Sequence, residues 1–206
     1  LARQMEAELA SLKMEDTRFS VVIEPIAPGR ESADCLTLEN AAITETGTER
    51  ARFMIAPNPG EALRPLSAIA SGGELSRVIL ALKAIMADSD TAGTLIFDEV
   101  DAGIGGEVAE MVGKKLAELA GLHQVICITH LAQIAKFGRH HYKITKEIED
   151  ARTRTLIQAL SEEARIEETA RMISGADITP TTRQHAREML LNNCGKSEDR
   201  SQESED

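Results

Sequence analysis

From Ser71 onward, stretches with the apolar period of a helix alternate with short continuous apolar runs, and no other feature restricts the fold of this chain as strongly. The stretch Glu74–Met86 carries Leu75, Val78, Ile79, Leu82, Ile85 and Met86 on a helical face. Thr94–Phe97 follows as a short run suited to a buried strand. Glu107–Leu119 is again amphipathic, through Val108, Met111, Val112, Leu116 and Leu119, and Val125–Thr129 is a second buried run. Strand, helix, strand in this order predicts an α/β fold in which the two strands are parallel neighbours joined by a crossover helix. Farther on, His141–Lys146 and Thr153–Leu160 predict a hairpin around the polar Glu147–Arg152. Two helices complete the pattern, Glu162–Ile173 and Pro180–Leu191, the second with Thr179 as N-cap and Pro180 at its first position.

The N-terminal part reads differently. Leu1, Met5, Leu9 and Leu12 form a narrow stripe with charged flanks over residues 1–15, open to two readings: a strand of a coiled coil, or a helix lying on a globular core. Phe19–Ile23, Cys35–Leu38 and Arg52–Ile55, broken by Pro25, Pro28, Gly29 and Gly47, predict an antiparallel β region. At the other end the polar stretch from Asn192 lacks the apolar content to pack, and residues 194–206 are expected to be a disordered acidic tail. The chain opens on Leu1-Ala2-Arg3 within a helical pattern, so a fragment of a longer protein is expected.

Composition narrows the function. A net charge of −11 excludes a basic nucleic-acid module, and 2% aromatic residues with no Trp exclude a base-stacking platform. No apolar run is long enough to span a membrane, and the first residues lack the basic-then-apolar order of a signal peptide, so no membrane partner is expected. Cys35, Cys127 and Cys194 are too far apart for a zinc site or a disulfide scaffold, which points to the cytoplasm. Cys127, inside an apolar run, reads as an inert core thiol, and His140-His141 lack a third ligand at sensible spacing.

Three local patterns carry chemistry. Ser71-Gly72-Gly73-Glu74 stands at the start of a helix, where Ser71 and Glu74 have the spacing of a capping box. Without side chains at 72 and 73, the same turn also lets backbone N–H groups approach an anion at the positive helix end. Thr94–Phe97 ends in Asp98 and Glu99, with Asp101 close behind. Either these acids form a solvated turn, or Asp98 holds Mg²⁺ while Glu99 polarises a water for attack on a phosphate. Neighbouring strand residues face opposite ways, so both serve one site only if the strand ends there. His130 closes the second buried run at the same expected sheet edge, either as a structural histidine or as a donor to a γ-phosphate.

The ordered set SGGELSR, TLIFDEVD and ITH resembles the signature motif, Walker B strand and switch histidine in the C-terminal lobe of an ABC-type ATPase head. The run NPGEALRPLSAIASGGELSR and the sequence FDEVDAGIGG resemble more specifically the RecN family of bacterial DNA repair ATPases, relatives of SMC proteins. That resemblance implies a P-loop NTPase head of α/β class, with residues 1–15 as the end of a coiled-coil arm and 16–193 as the lobe. It implies ATP and Mg²⁺ as cofactors, Asp98 as the magnesium carboxylate, Glu99 as catalytic base and His130 as the switch histidine. Ser71, Gly72, Gly73 and Glu74 match the signature that contacts a γ-phosphate held by the opposite subunit, and Asp101 through Gly106 match the D-loop region, with Asp101 expected at the nucleotide. The implied partners are the N-terminal half of the same head, a second head in a homodimer, and DNA through the full-length protein. A P-loop, G-x-x-x-x-G-K-[ST], does not occur in these 206 residues; Gly195-Lys196-Ser197 has Leu190 where the first glycine belongs. The chain alone is therefore expected to be inactive. The alternatives are the head of another SMC or Rad50-type ATPase, or a non-catalytic dimerisation module.

Overall fold

The computed structural model describes residues 1–28, 37–38, 41–69, 71–87, 91–149 and 152–194. Cys35 and the expected tail beyond residue 194 lie outside them. The chain divides into two compact units, Leu1–Ile85 and Met86–Asp206.

In the first unit, helix α1 (Ala2–Ser11) carries the N-terminal stripe. Met5, Leu9 and Leu12 are buried completely or nearly so, and α1 packs on strand β1 (Arg18–Pro25). Glu6 fixes this arrangement by accepting a 3.0 Å hydrogen bond from the Phe19 N–H. After the short strands β2 (Thr37–Leu38) and β3 (Ala41–Ala42), which pair with each other, comes β4 (Glu49–Ala56), antiparallel to β1 from Arg18↔Ala56 to Pro25↔Glu49. Strand β5 (Arg64–Pro65) adds to the far side of β4, giving the order β1-β4-β5. The expected antiparallel region is thus present, with β3 and β5 added by pairings too short to show a sequence period.

Helix α2 (Gly72–Met86) runs to the end of this unit. Its most buried side is Gly73, Arg77, Val78, Leu80 and Ala81, whereas Leu75, Ile79, Leu82 and Ile85 are only half-buried and Met86 is exposed. The buried face is therefore rotated away from the one read from the sequence and shares only Val78 with it.

In the second unit, β6 (Thr94–Phe97) and β7 (Gln124–Cys127) are parallel, in register from Thr94↔Gln124 to Phe97↔Cys127, and α3 (Gly106–Leu119) connects them. This is the predicted crossover. Helix α3 buries Ala109, Val112, Gly113, Leu116 and Leu119 and packs against α4 (Ala132–Ala135), a single turn that no periodicity announces. Parallel strands normally have both faces covered. Here Leu95 and Phe97 are buried while Ile96 is 68% exposed, and across the ladder Ile126 and Ile128 are 46% and 47% exposed.

The hairpin pairs β8 (Tyr142–Glu149) with β9 (Arg152–Ala159). It is longer than its apolar runs suggest, because backbone pairing continues through the polar Lys146↔Thr155 and Glu147↔Arg154 steps. Helix α5 (Glu162–Ser174) is capped by Ser161, whose Oγ accepts from the Ala164 N–H at 3.3 Å. The buried Glu168 on α5 pairs with Arg171 and with Lys143 of β8, both at 2.5 Å. Helix α6 (Pro180–Cys194) begins at the expected Thr179 cap, which accepts from the Thr182 N–H at 3.1 Å. It continues three residues beyond Leu191, since no breaker stands before Gly195.

Candidate nucleotide site

Strand β6 stops at Phe97, and the next two residues are the exposed acids Asp98 and Glu99. Glu99 has φ of +57°, the left-handed region that side chains other than glycine and asparagine seldom occupy. Its N–H donates to Asp98 Oδ1 at 2.9 Å, and its carbonyl accepts from the Ala102 N–H at 3.0 Å. The strand alternation therefore ends at Asp98, which satisfies the condition that both carboxylates belong to one edge. Val100 behind them is fully buried and anchors the turn.

On the adjacent strand the ladder extends one step, with the Ile128 N–H donating to the Phe97 carbonyl at 2.9 Å, so that Thr129 and His130 leave β7 at the edge where Asp98 and Glu99 leave β6. Asp101 joins the two. It is only 4% exposed, and its Oδ2 accepts from Thr129 Oγ1 at 2.6 Å and from the His130 N–H at 2.9 Å, and also lies 2.9 Å from His130 Nδ1. The Thr129 hydroxyl in turn accepts from the Leu131 N–H at 3.0 Å, at the entrance to α4. The His130 ring itself stays outside, with 72% of its side chain exposed. The carboxylate of Asp101, the residue expected at the nucleotide, is engaged by the His130 loop. Thr129 is the participant that sequence reasoning passed over, although a hydroxyl residue directly before the histidine was its visible signal.

In the first unit, Ser71 and Gly72 are exposed at the start of α2 and Gly73 is buried. The capping reading is present: the Ser71 carbonyl accepts from the Leu75 N–H at 3.1 Å, and its Oγ lies 3.4 Å from the Glu74 N–H. That long side-chain contact leaves the hydroxyl weakly committed.

Among the described residues no group of three or more His, Cys, Asp or Glu side chains can hold a metal ion. The donor set nevertheless suits Mg²⁺, which binds through one or two carboxylates together with water and substrate phosphates. Asp98 supplies one exposed carboxylate of that kind. Beneath this edge the half-buried Cys127, expected to be a core thiol, has its thiol pushed up to about 12 by partial burial and by the charges of Asp101 and Asp98. His141 of the His-His pair is held below the usual histidine range by burial and by Arg165, and belongs to no metal cluster among the described residues.

The fold resembles that of SMC head domains. The SMC head domain with a coiled coil and joint from Pyrococcus yayanosii matches with a TM-score of 0.52 and 19% identity, covering 82% of this chain and 28% of that one. That from Pyrococcus furiosus, bound to the C-terminal domain of ScpA, has a TM-score of 0.50 and 19% identity, covering 82% and 37%. No protein-family model matches the chain.

In sequence the particular likeness is to bacterial proteins called DNA repair protein RecN. The DNA repair protein RecN of Bacillus subtilis is 40% identical over 191 residues, 92% of this chain and 33% of the relative. RecN of Deinococcus radiodurans is 43% identical over 191 residues, covering 92% and 32%, and that of Xylella fastidiosa strain Temecula1 is 47% identical over 152 residues, covering 74% and 27%. The chain spans about a third of the length of the curated relatives it matches.

Proposed function

We propose that the chain is the C-terminal lobe of a RecN-like ATPase head that acts, within a complete protein, in the repair of DNA double-strand breaks. The observation that carries this reading is the common edge of two paired parallel strands, from which Asp98, Glu99 and His130 emerge. In this reading ATP is held by a P-loop from the N-terminal half of the same head. The exposed Ile96, Ile126 and Ile128 form the apolar face that this half covers, because a parallel sheet needs its second face buried. Ser71, Gly72, Gly73 and Glu74 meet the γ-phosphate of a second, identical head through the helix N-terminus. Helix α1 is the end of the coiled-coil arm, docked by Met5, Leu9 and Leu12 where it meets the lobe.

Bound Mg²⁺ would be held in part by Asp98 and would neutralise charge on the phosphates. Glu99 orients the attacking water and takes its proton. Loss of the γ-phosphate removes the group that both heads share, and the engaged pair opens. In this reading the complete protein works on DNA, in the cytoplasm, through surfaces outside the acidic lobe.

The test uses the lobe joined to the N-terminal half. Glu99→Gln should leave ATP binding intact, slow hydrolysis by roughly 10²–10⁴-fold and accumulate engaged dimers. Turnover close to that of the unsubstituted head would remove Glu99 from the reaction, and a joined head that neither binds nor hydrolyses ATP would end the reading altogether.

A further inference from the structure

A buried carboxylate four residues beyond the end of a strand is costly unless its lone pairs are used, and Asp101 uses them on one short segment. Two hydrogen bonds converge on its Oδ2, from the Thr129 hydroxyl and the His130 backbone N–H, and hold the loop, while His130 Nδ1 lies 2.9 Å from the same oxygen. A carboxylate only accepts, so a hydrogen bond across that distance needs the proton on Nδ1. In the neutral imidazole the other nitrogen, Nε2, is then left with a free lone pair.

We propose that Asp101 is a positioning residue for His130: it fixes both the place of the imidazole at the sheet edge and its tautomer, so that Nε2 is the nitrogen offered to the nucleotide or its water. This rests on the ATPase-head reading for what Nε2 meets, but not for the geometry of the pair. The chemical consequence is specific. With the proton on Nδ1, Nε2 presents an acceptor rather than a donor. Buried partners of this kind act through the ring they orient and need not touch the ligand.

The experiment has two arms. In the first, the chain labelled with ¹⁵N at histidine is studied by long-range ¹H–¹⁵N correlation in the neutral form of the rings. His130 should show the Nδ1–H pattern. Asp101→Ala, which removes the acceptor, should bring up the Nε2–H form. Thr129→Val should leave the Nδ1–H pattern in place. His123, whose Nδ1 lies 2.8 Å from the Ala92 carbonyl, is an internal reference that neither change should move. An Nε2–H pattern for His130 in the unsubstituted chain, or no change with Asp101→Ala, would overturn the proposal; the first result decides even if the variant does not fold. In the second arm, the lobe joined to its N-terminal half should lose about 10–100-fold in kcat on Asp101→Ala with KM for ATP little changed. An altered tautomer with unaltered kcat would overturn the positioning role. Absence of hydrolysis by the unsubstituted joined head would refute the ATPase reading instead, leaving the pairing to be decided by the first arm.

Discussion

Gly113 of helix α3 faces Phe137 and the Gln133 carbonyl of α4, and replacing it with alanine tests whether that contact fixes the lobe. A Cβ at Gly113 would lie 2.4 Å and 2.7 Å from Cδ2 and Cε2 of Phe137, and 3.2 Å from the backbone carbonyl of Gln133. Carbon atoms settle at about 3.5–4.0 Å, so the ring must withdraw by roughly 1 Å. Overpacking of this order costs about 1–3 kcal/mol. Against it, alanine gains about 1 kcal/mol over glycine inside a helix. The packing cost should win, for a net loss of about 1 kcal/mol. In a Phe137→Ala background the ring is gone and only the milder contact with Gln133 remains, so Gly113→Ala should be neutral or slightly stabilising there. The coupling from urea unfolding of the four proteins should fall at about 1–3 kcal/mol, with m-values unchanged. If Gly113→Ala costs the same in both backgrounds, or stabilises the unsubstituted chain, Phe137 does not set the approach of the helices.

Three further outcomes follow from the geometry. Ser71→Asp should keep the cap of α2 but abolish ATP-dependent engagement of joined heads, measured by crosslinking or light scattering, because a carboxylate repels the phosphate; undiminished engagement would make Ser71 a cap and nothing more. Burial raises the Glu168 pKa, but hydrogen bonds from Arg171 and Lys143 outweigh it and hold the carboxyl below its ordinary range. Its contribution to stability is therefore full above the unfolded-state value and lost as pH falls through the lower folded value, so Glu168→Gln should flatten the acid limb of stability measured by denaturant midpoints. The half-buried Cys127 should alkylate more slowly at about pH 8 in the folded chain than after unfolding by denaturant, and equally rapid labelling of the folded protein would contradict its raised pKa.

The fold was legible wherever a run was long enough to repeat. Thr94–Phe97 is a strand with the predicted ends, α3 and α5 differ from expectation by one residue at an end, and the crossover between parallel neighbours follows from their order. Elements of two to four residues, β3, β5 and α4, were invisible because backbone partners distant in sequence define them, not periodicity. At the candidate site the residue types and their strand-end positions were legible. The use of Asp101 was not, since nothing local says that a carboxylate after one strand will take its partners from a loop 28 residues further on. The exposure of Ile96 and Ile126 was equally hidden, because an apolar run reads the same whether one face or both are covered.

The left-handed backbone at Glu99 has an evolutionary consequence. Holding a glutamate at φ of +57° costs of order 1 kcal/mol, and glycine would adopt the same conformation without penalty. A change of one residue thus makes this turn easier to form while erasing the carboxylate. Selection for stability alone would push position 99 toward glycine in every lineage. A glutamate that persists in such a conformation is maintained against that drift, and a homologue carrying glycine there would be a better folded protein with a different occupation.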